Sequence, residues 1–123
     1  MKIPKPVQER RRAVRIDERL PFKIGHAGYE SEALTVNVSA NGALCWIEKD
    51  FPLMTQFKVA LSLPTGQKTA PRFKVVSMKG VLVRKEKDTR SRHFLVALYF
   101  SSISPADRRY LQKFIEDRSS SNA

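Results

Sequence analysis

The chain has 123 residues, enough for one domain around a single modest core, and its 41% hydrophobic and 28% charged content is ordinary for a soluble globular protein. Its 23 Lys and Arg against 12 Asp and Glu leave a net charge of +11, which predicts a positive surface field and an anionic partner: nucleic acid, nucleotide, anionic lipid or acidic protein. The lone Cys45 excludes an internal disulfide framework and a cysteine-based metal cluster. The opening residues hold no secretory-type apolar stretch, and the longest apolar run, Phe94 to Phe100, is too short to cross a bilayer. A cytoplasmic protein without membrane insertion is expected.

Basic charge is concentrated at the front. Residues 1–9 read as a flexible arm, because Pro4 and Pro6 discourage helix there. A single domain is expected over 10–117 and a disordered tail over 118–123, whose polar residues have nothing apolar to anchor them. The domain opens on Arg10, Arg11, Arg12 and Arg15, so that Arg11 and Arg15 are spaced R-x-x-x-R.

Strand signals follow in sequence. Pro21 to Ile24 is a short strand that closes at a turn over Gly25 to Gly28. Glu32 to Val38 alternates and is β-branched, then meets Ser39-Ala40-Asn41-Gly42, where Asn-Gly is a strong hairpin signal before Ala43 to Ile47. Phe57 to Leu63 alternates and ends at Pro64-Thr65-Gly66. Phe73 to Val76 and Gly80 to Lys85 form one long strand or two, with a bulge or bend at Gly80. His93 to Phe100 is the last strand. Ser104 then caps a helix with Pro105 in its first position and Asp107 in its first turn; Leu111, Phe114 and Ile115 form its apolar face, and it ends near Asp117 across one opening of the sheet. Six short strands with regular turn signals and no βαβ alternation predict an all-β fold, a six-stranded antiparallel β-barrel with a C-terminal helix.

The two polar elements, Arg11-Arg12-Ala13-Val14-Arg15 and Asn37-Val38-Ser39-Ala40-Asn41-Gly42, resemble in order and spacing the R-x-x-x-R and [D/N]-x-S-x-x-G motifs of the PilZ domain, the bacterial receptor module for cyclic di-GMP. The resemblance runs from Arg10 to about Ile115 and includes Val81 to Arg84, Leu95 to Phe100 and the capped closing helix. It implies a six-stranded barrel with the arginine arm folded over one face. It also implies cyclic di-GMP as the ligand, bound by Arg10, Arg11, Arg15, Asn37, Ser39 and Gly42. Asn37 stands where many relatives carry Asp and offers a neutral oxygen in place of a charged pair. In the family the position of Arg10 influences whether one ligand or a stacked pair binds, and an arginine is compatible with the pair.

These residue types suit that ligand. The guanidinium fork bonds two phosphate oxygens, or guanine O6 and N7, and its face stacks on a purine. Asn37 and Ser39 alternate with Val38 and so point to one face of a strand, where an amide oxygen can accept from guanine and a hydroxyl can donate. Gly42 either takes a conformation closed to other residues or admits a close approach. Like charges in the arm repel one another until the dinucleotide neutralises them, so ligand would order the arm and present a new surface to a partner protein. Other features read as structural: His26 and His93 lack a ligand cluster, Cys45 lies in an apolar strand, Trp46 suits packing, Arg84 reads as a solvated strand charge, and Phe57, Phe73, Phe94 and Phe100 occupy core-like alternating positions. No catalytic set stands out, and neither an enzyme nor a cofactor or metal is expected. The alternatives are a small barrel binding single-stranded nucleic acid, for which a regular exposed aromatic face is missing from the pattern, and a PilZ-like protein-interaction module that binds no nucleotide.

Overall fold

The computed structural model describes residues 14–66 and 72–121. The expected arm over 1–9, together with Arg10 and Arg11, lies outside the described residues. The elements, in chain order, are β1 (Arg15–Ile16), β2 (Pro21–His26), β3 (Tyr29–Ser39), β4 (Gly42–Ile47), β5 (Gln56–Thr65), β6 (Arg72–Lys87), β7 (Phe94–Ile103) and α1 (Pro105–Ser121). All strand pairings are antiparallel, in the order β3-β2-β5-β6-β7-β4, and β4 returns to pair with β3. That last pairing closes a six-stranded barrel, and the short β1 adds to the free part of β3. Closure leaves the six strands without a long unpaired edge.

Alternation along each strand places the core. In β5, Phe57, Val59, Leu61 and Leu63 are buried while the residues between them face outward. Cys45, Val76, Leu82, Val96 and Phe100 complete the interior, and Leu111 and Ile115 of α1 join the same cluster. The helix thus covers the barrel through its apolar face and packs on β1 and β6. Ser104 caps it: its Oγ accepts the Asp107 N–H at 3.1 Å, and its carbonyl accepts the Arg108 N–H at 2.8 Å.

The long-strand alternative holds for β6, which is continuous over 16 residues. Its register against β7 shifts between Lys79 and Gly80, as the glycine suggested, and again between Leu82 and Arg84. Two irregularities let one strand bend around a small barrel. At the β2–β3 hairpin the turn residues are Ala27 and Gly28, both with positive φ (49° and 85°), as a two-residue turn that follows the sheet twist requires.

Several expectations need correction. The β3–β4 turn consists of Ala40 and Asn41, and Gly42 is already the first residue of β4, so Asn-Gly is not the central pair. The helix runs on to Ser121, into the segment expected to be disordered. Its last turn is held because Arg118 pairs with Glu18 and lies over the Phe114 ring. Phe73 is 57% exposed on the outer face of β6, because alternation there buries Val76 and Met78 instead. Among the described residues, no helix is long and apolar enough to cross a membrane.

Candidate functional site: the arm root on the β3–β4 hairpin

The segment following the arginine-rich stretch is sewn to β3. Arg15 stands opposite Ser39 and Ile16 opposite Val38, while Ile16 and Leu20 are buried in the core. Thr35, itself buried, ties the segment down between them. The Leu20 N–H donates to Thr35 Oγ1 (2.9 Å), the Thr35 hydroxyl donates to the Glu18 carbonyl (2.6 Å), and the Thr35 N–H donates to the Leu20 carbonyl (3.1 Å). Arg118 Nε lies 3.1 Å from Glu18 Oε2 and joins the same root to the end of α1. The three bonds of Thr35 satisfy groups that burial would otherwise leave unpaired, while Arg118 and Glu18 form an ion pair. Nothing in the sequence marked Thr35, since a threonine in a β-branched run is ordinary strand composition.

This anchorage brings the two sequence motifs together. Arg15 Nη1 donates to Asn37 Oδ1 at 2.9 Å, across 22 residues of chain. Asn37 can face outward because β3 carries a bulge between Thr35 and Asn37: Thr35 pairs with Cys45 and Asn37 with Leu44, leaving Val36 as the extra residue. In a regular strand, strict alternation from the buried Thr35 through Val36 would turn Asn37 inward as well.

The other two hairpin positions serve the fold in this structure. Ser39 is fully buried; its Oγ accepts the Asn41 N–H at 3.1 Å and lies 3.4 Å from the Gly42 carbonyl. Gly42 does not adopt a positive φ. Its role is close approach: a Cβ there would lie 2.3 Å from the Leu98 carbonyl oxygen on β7. The Phe100 N–H donates to the Asn41 carbonyl at 2.8 Å, so the turn is clamped to β7 as well.

Register extends the site across the outer surface. Asn37 pairs with Leu44, Leu44 with Ala97 and Ala97 with Arg84, so these residues form one row over β3, β4, β7 and β6. Trp46 (40% exposed) and Tyr99 (53%) flank that row. At about 4.8 Å per strand, Arg84 stands about 14 Å from Asn37. In the sequence Arg84 was one charge among many; only the pairing places it on this row.

The PilZ domain model matches residues 9–117. The chain belongs to the PilZ domain family. No curated protein matches it in sequence. Among solved structures, it is similar to the motility inhibitor MotI/DgrA of Bacillus subtilis (TM-score 0.77, 22% identity), covering 89% of this chain and 51% of that one. It is also similar to YcgR of Escherichia coli in complex with c-di-GMP (TM-score 0.70, 17% identity), covering 92% of this chain and 47% of that one. The PilZ domain of YcgR with c-di-GMP matches at a TM-score of 0.58 and 20% identity, over 92% and 98% of the two chains. The chain therefore spans about half the length of MotI/DgrA and of full YcgR. At these identities the likeness establishes the fold. The family is one of non-catalytic receptor modules.

The remaining polar candidates of this PilZ domain lie apart from the row or beneath it. His26 donates from Nδ1 to the Gln56 carbonyl (2.9 Å) and makes edge contacts with Phe51 and Phe57. His93 lies 3.8 Å from Glu48. Cys45 is buried on β4, and burial pushes its thiol up to about 12. Among the described residues, no three His, Cys, Asp or Glu side chains gather as a metal site.

Proposed function

We propose that this PilZ domain is a receptor for cyclic di-GMP that closes its arginine arm over the outer row on β3 and β4 and thereby signals to a partner protein. The observation that carries the reading is the 2.9 Å bond from Arg15 to Asn37, which joins the two halves of the motif pair into one polar site. Two of the similar structures, YcgR and its PilZ domain, are complexes with c-di-GMP.

In this reading Arg15 is the fixed jaw. It is held by β1, so its guanidinium needs little further ordering when a phosphate or guanine arrives. Arg11 lies four residues earlier, within about 13 Å along an extended chain, a reach on the scale of a dinucleotide. Arg10 and Arg11 supply the second jaw, and Arg10 adds the cationic face that a stacked ligand pair would use. Asn37 offers its amide to guanine, exchanging its bond to Arg15 for one to the base. Ser39 and Gly42 act by shaping the hairpin that presents Asn37. Arg84, at the far end of the row, marks the limit of the surface that the ligand and arm would cover.

The test is calorimetric titration of the full chain with cyclic di-GMP, GTP and a short single-stranded oligonucleotide at physiological salt, repeated with Arg11→Ala and Arg15→Ala. Cyclic di-GMP binding that both substitutions weaken is expected. Oligonucleotide binding alone, falling steeply with salt, would replace this reading with the nucleic-acid one. Protease sensitivity of the first residues that is the same with and without ligand would remove the arm-closure step.

A further inference from the structure

The barrel wall formed by β3, β2, β5 and β6 carries a second surface. Leu34 of β3 (48% exposed) and Val75 (52%) and Phe73 (57%) of β6 all face solvent. The register places them together: Leu34 pairs with Pro21, Val75 with Ser62 and Phe73 with Pro64. Small residues between them keep the floor low. Pro21, Leu34, Ala60, Ser62 and Val75 line a shallow groove of about 660 Å³. Along the same outward face of β5, Pro64 leads into a second groove of about 620 Å³, floored by Tyr110 and Phe114 of α1. Contiguous exposed apolar surface of this kind marks an interaction site more often than chance.

We propose that this strip, from Leu34 to the groove under Phe114, docks a segment of another protein that carries apolar anchors among carboxylates. The charge pattern selects that chemistry. Lys23 borders the first groove and Arg109 and Lys113 the second, and Lys74 Nζ sits 5.6 Å from the ring centroid of Tyr110 on that groove's floor. The nearby carboxylates are already engaged, Glu32 with Lys23 (3.7 Å) and Asp117 with Lys113 (3.3 Å). An acidic segment finds surplus positive charge at the rim and an apolar floor at the centre, the usual anatomy of a protein interface. A second copy would bring a chain of net charge +11 against itself. Single-stranded nucleic acid would need successive aromatic faces, whereas the strip is mostly aliphatic and proline. The strip uses none of the residues assigned to the dinucleotide, so the proposal stands apart from the ligand reading.

The experiment uses the full chain without cyclic di-GMP. A synthetic amphipathic peptide with leucine and phenylalanine alternating with glutamate is titrated by fluorescence anisotropy and mapped by amide chemical shifts. Controls replace its glutamates by lysine or its apolar residues by serine. Binding is expected to move the signals of Leu34, Val75 and Tyr110, to be lost with either control, and to weaken by about tenfold or more in Val75→Glu and in Arg109→Glu. Both positions are exposed, and a thermal melt confirms that the variants fold. Arg15→Ala should leave the affinity unchanged. Peptide binding that is absent or maps to the β3–β4–β7 row overturns the proposal. So does preferential binding of an oligothymidylate or of phosphatidylglycerol vesicles at these residues, or a concentration-dependent dimer that Val75→Glu abolishes.

Discussion

The row on β3, β4, β7 and β6 and the strip on β3, β2, β5 and β6 are both outer faces of one barrel, with apolar side chains in contact with water, yet they are built by different means. The strip follows the pleat: β5 and β6 pair without a register shift from Gln56 to Thr65, and alternation alone decides what faces out. The row depends on departures from the pleat. A bulge turns Asn37 outward, a second irregularity in β6 places Arg84, a buried threonine fastens the arm root, and a glycine lets β7 press against the hairpin. A surface that offers apolar area needs only composition and period. A surface that must hold a guanidinium and an amide 2.9 Å apart needs irregular backbone fixed by buried hydrogen bonds.

Glycine substitutions test that contrast most sharply. Gly42→Ala sets a methyl group 2.3 Å from a β7 carbonyl, with no flexible neighbour to yield, and should cost about 3 kcal/mol in chemical denaturation. Gly25→Ala, on β2, meets its nearest atom at 3.6 Å and should change stability by about 0.5 kcal/mol or less. Equal effects would mean that the hairpin is no more tightly held than the strip side.

Thr35→Val comes next. It keeps the shape but leaves the Leu20 N–H and the Glu18 carbonyl without their partner, a loss of about 2 kcal/mol by the same measurement. Faster amide exchange at Leu20 should accompany it, while the β5–β6 pairing stays protected. Arg15→Ala separates stability from binding. The Arg15–Asn37 bond is exposed, so the fold should lose less than about 0.5 kcal/mol, while cyclic di-GMP affinity falls about tenfold or more in calorimetry.

The smallest effect concerns the core shared by both faces. Burial raises the Cys45 thiol to about 12 from the ordinary 9.0, so the folded chain holds that proton more tightly than the unfolded one. Its contribution to stability is complete below pH 9 and declines as the pH rises from there toward 12. A thiol reagent at neutral pH should react only on unfolding. Prompt labelling would show that the core beneath β4 is open.

By itself the sequence determined the class of fold, most of the strands, the capped helix and the pair of motifs, because each of these rests on local information. Alternation places Leu61 and Leu63 inward whatever lies beyond them, Ser104 and Pro105 begin a helix without tertiary help, and R-x-x-x-R followed by N-x-S-x-x-G is a matter of spacing. Tertiary structure alone decided what those residues do. Ser39 reads as a free hydroxyl until the turn folds back and engages it, and Gly42 reads as a turn residue until β7 arrives against it. Thr35, Arg84 and Arg118 carry no local signature, because their partners lie on other strands or at the far end of the chain. Register and barrel closure are long-range pairings, and a bulge of one residue decides which side chains meet the solvent.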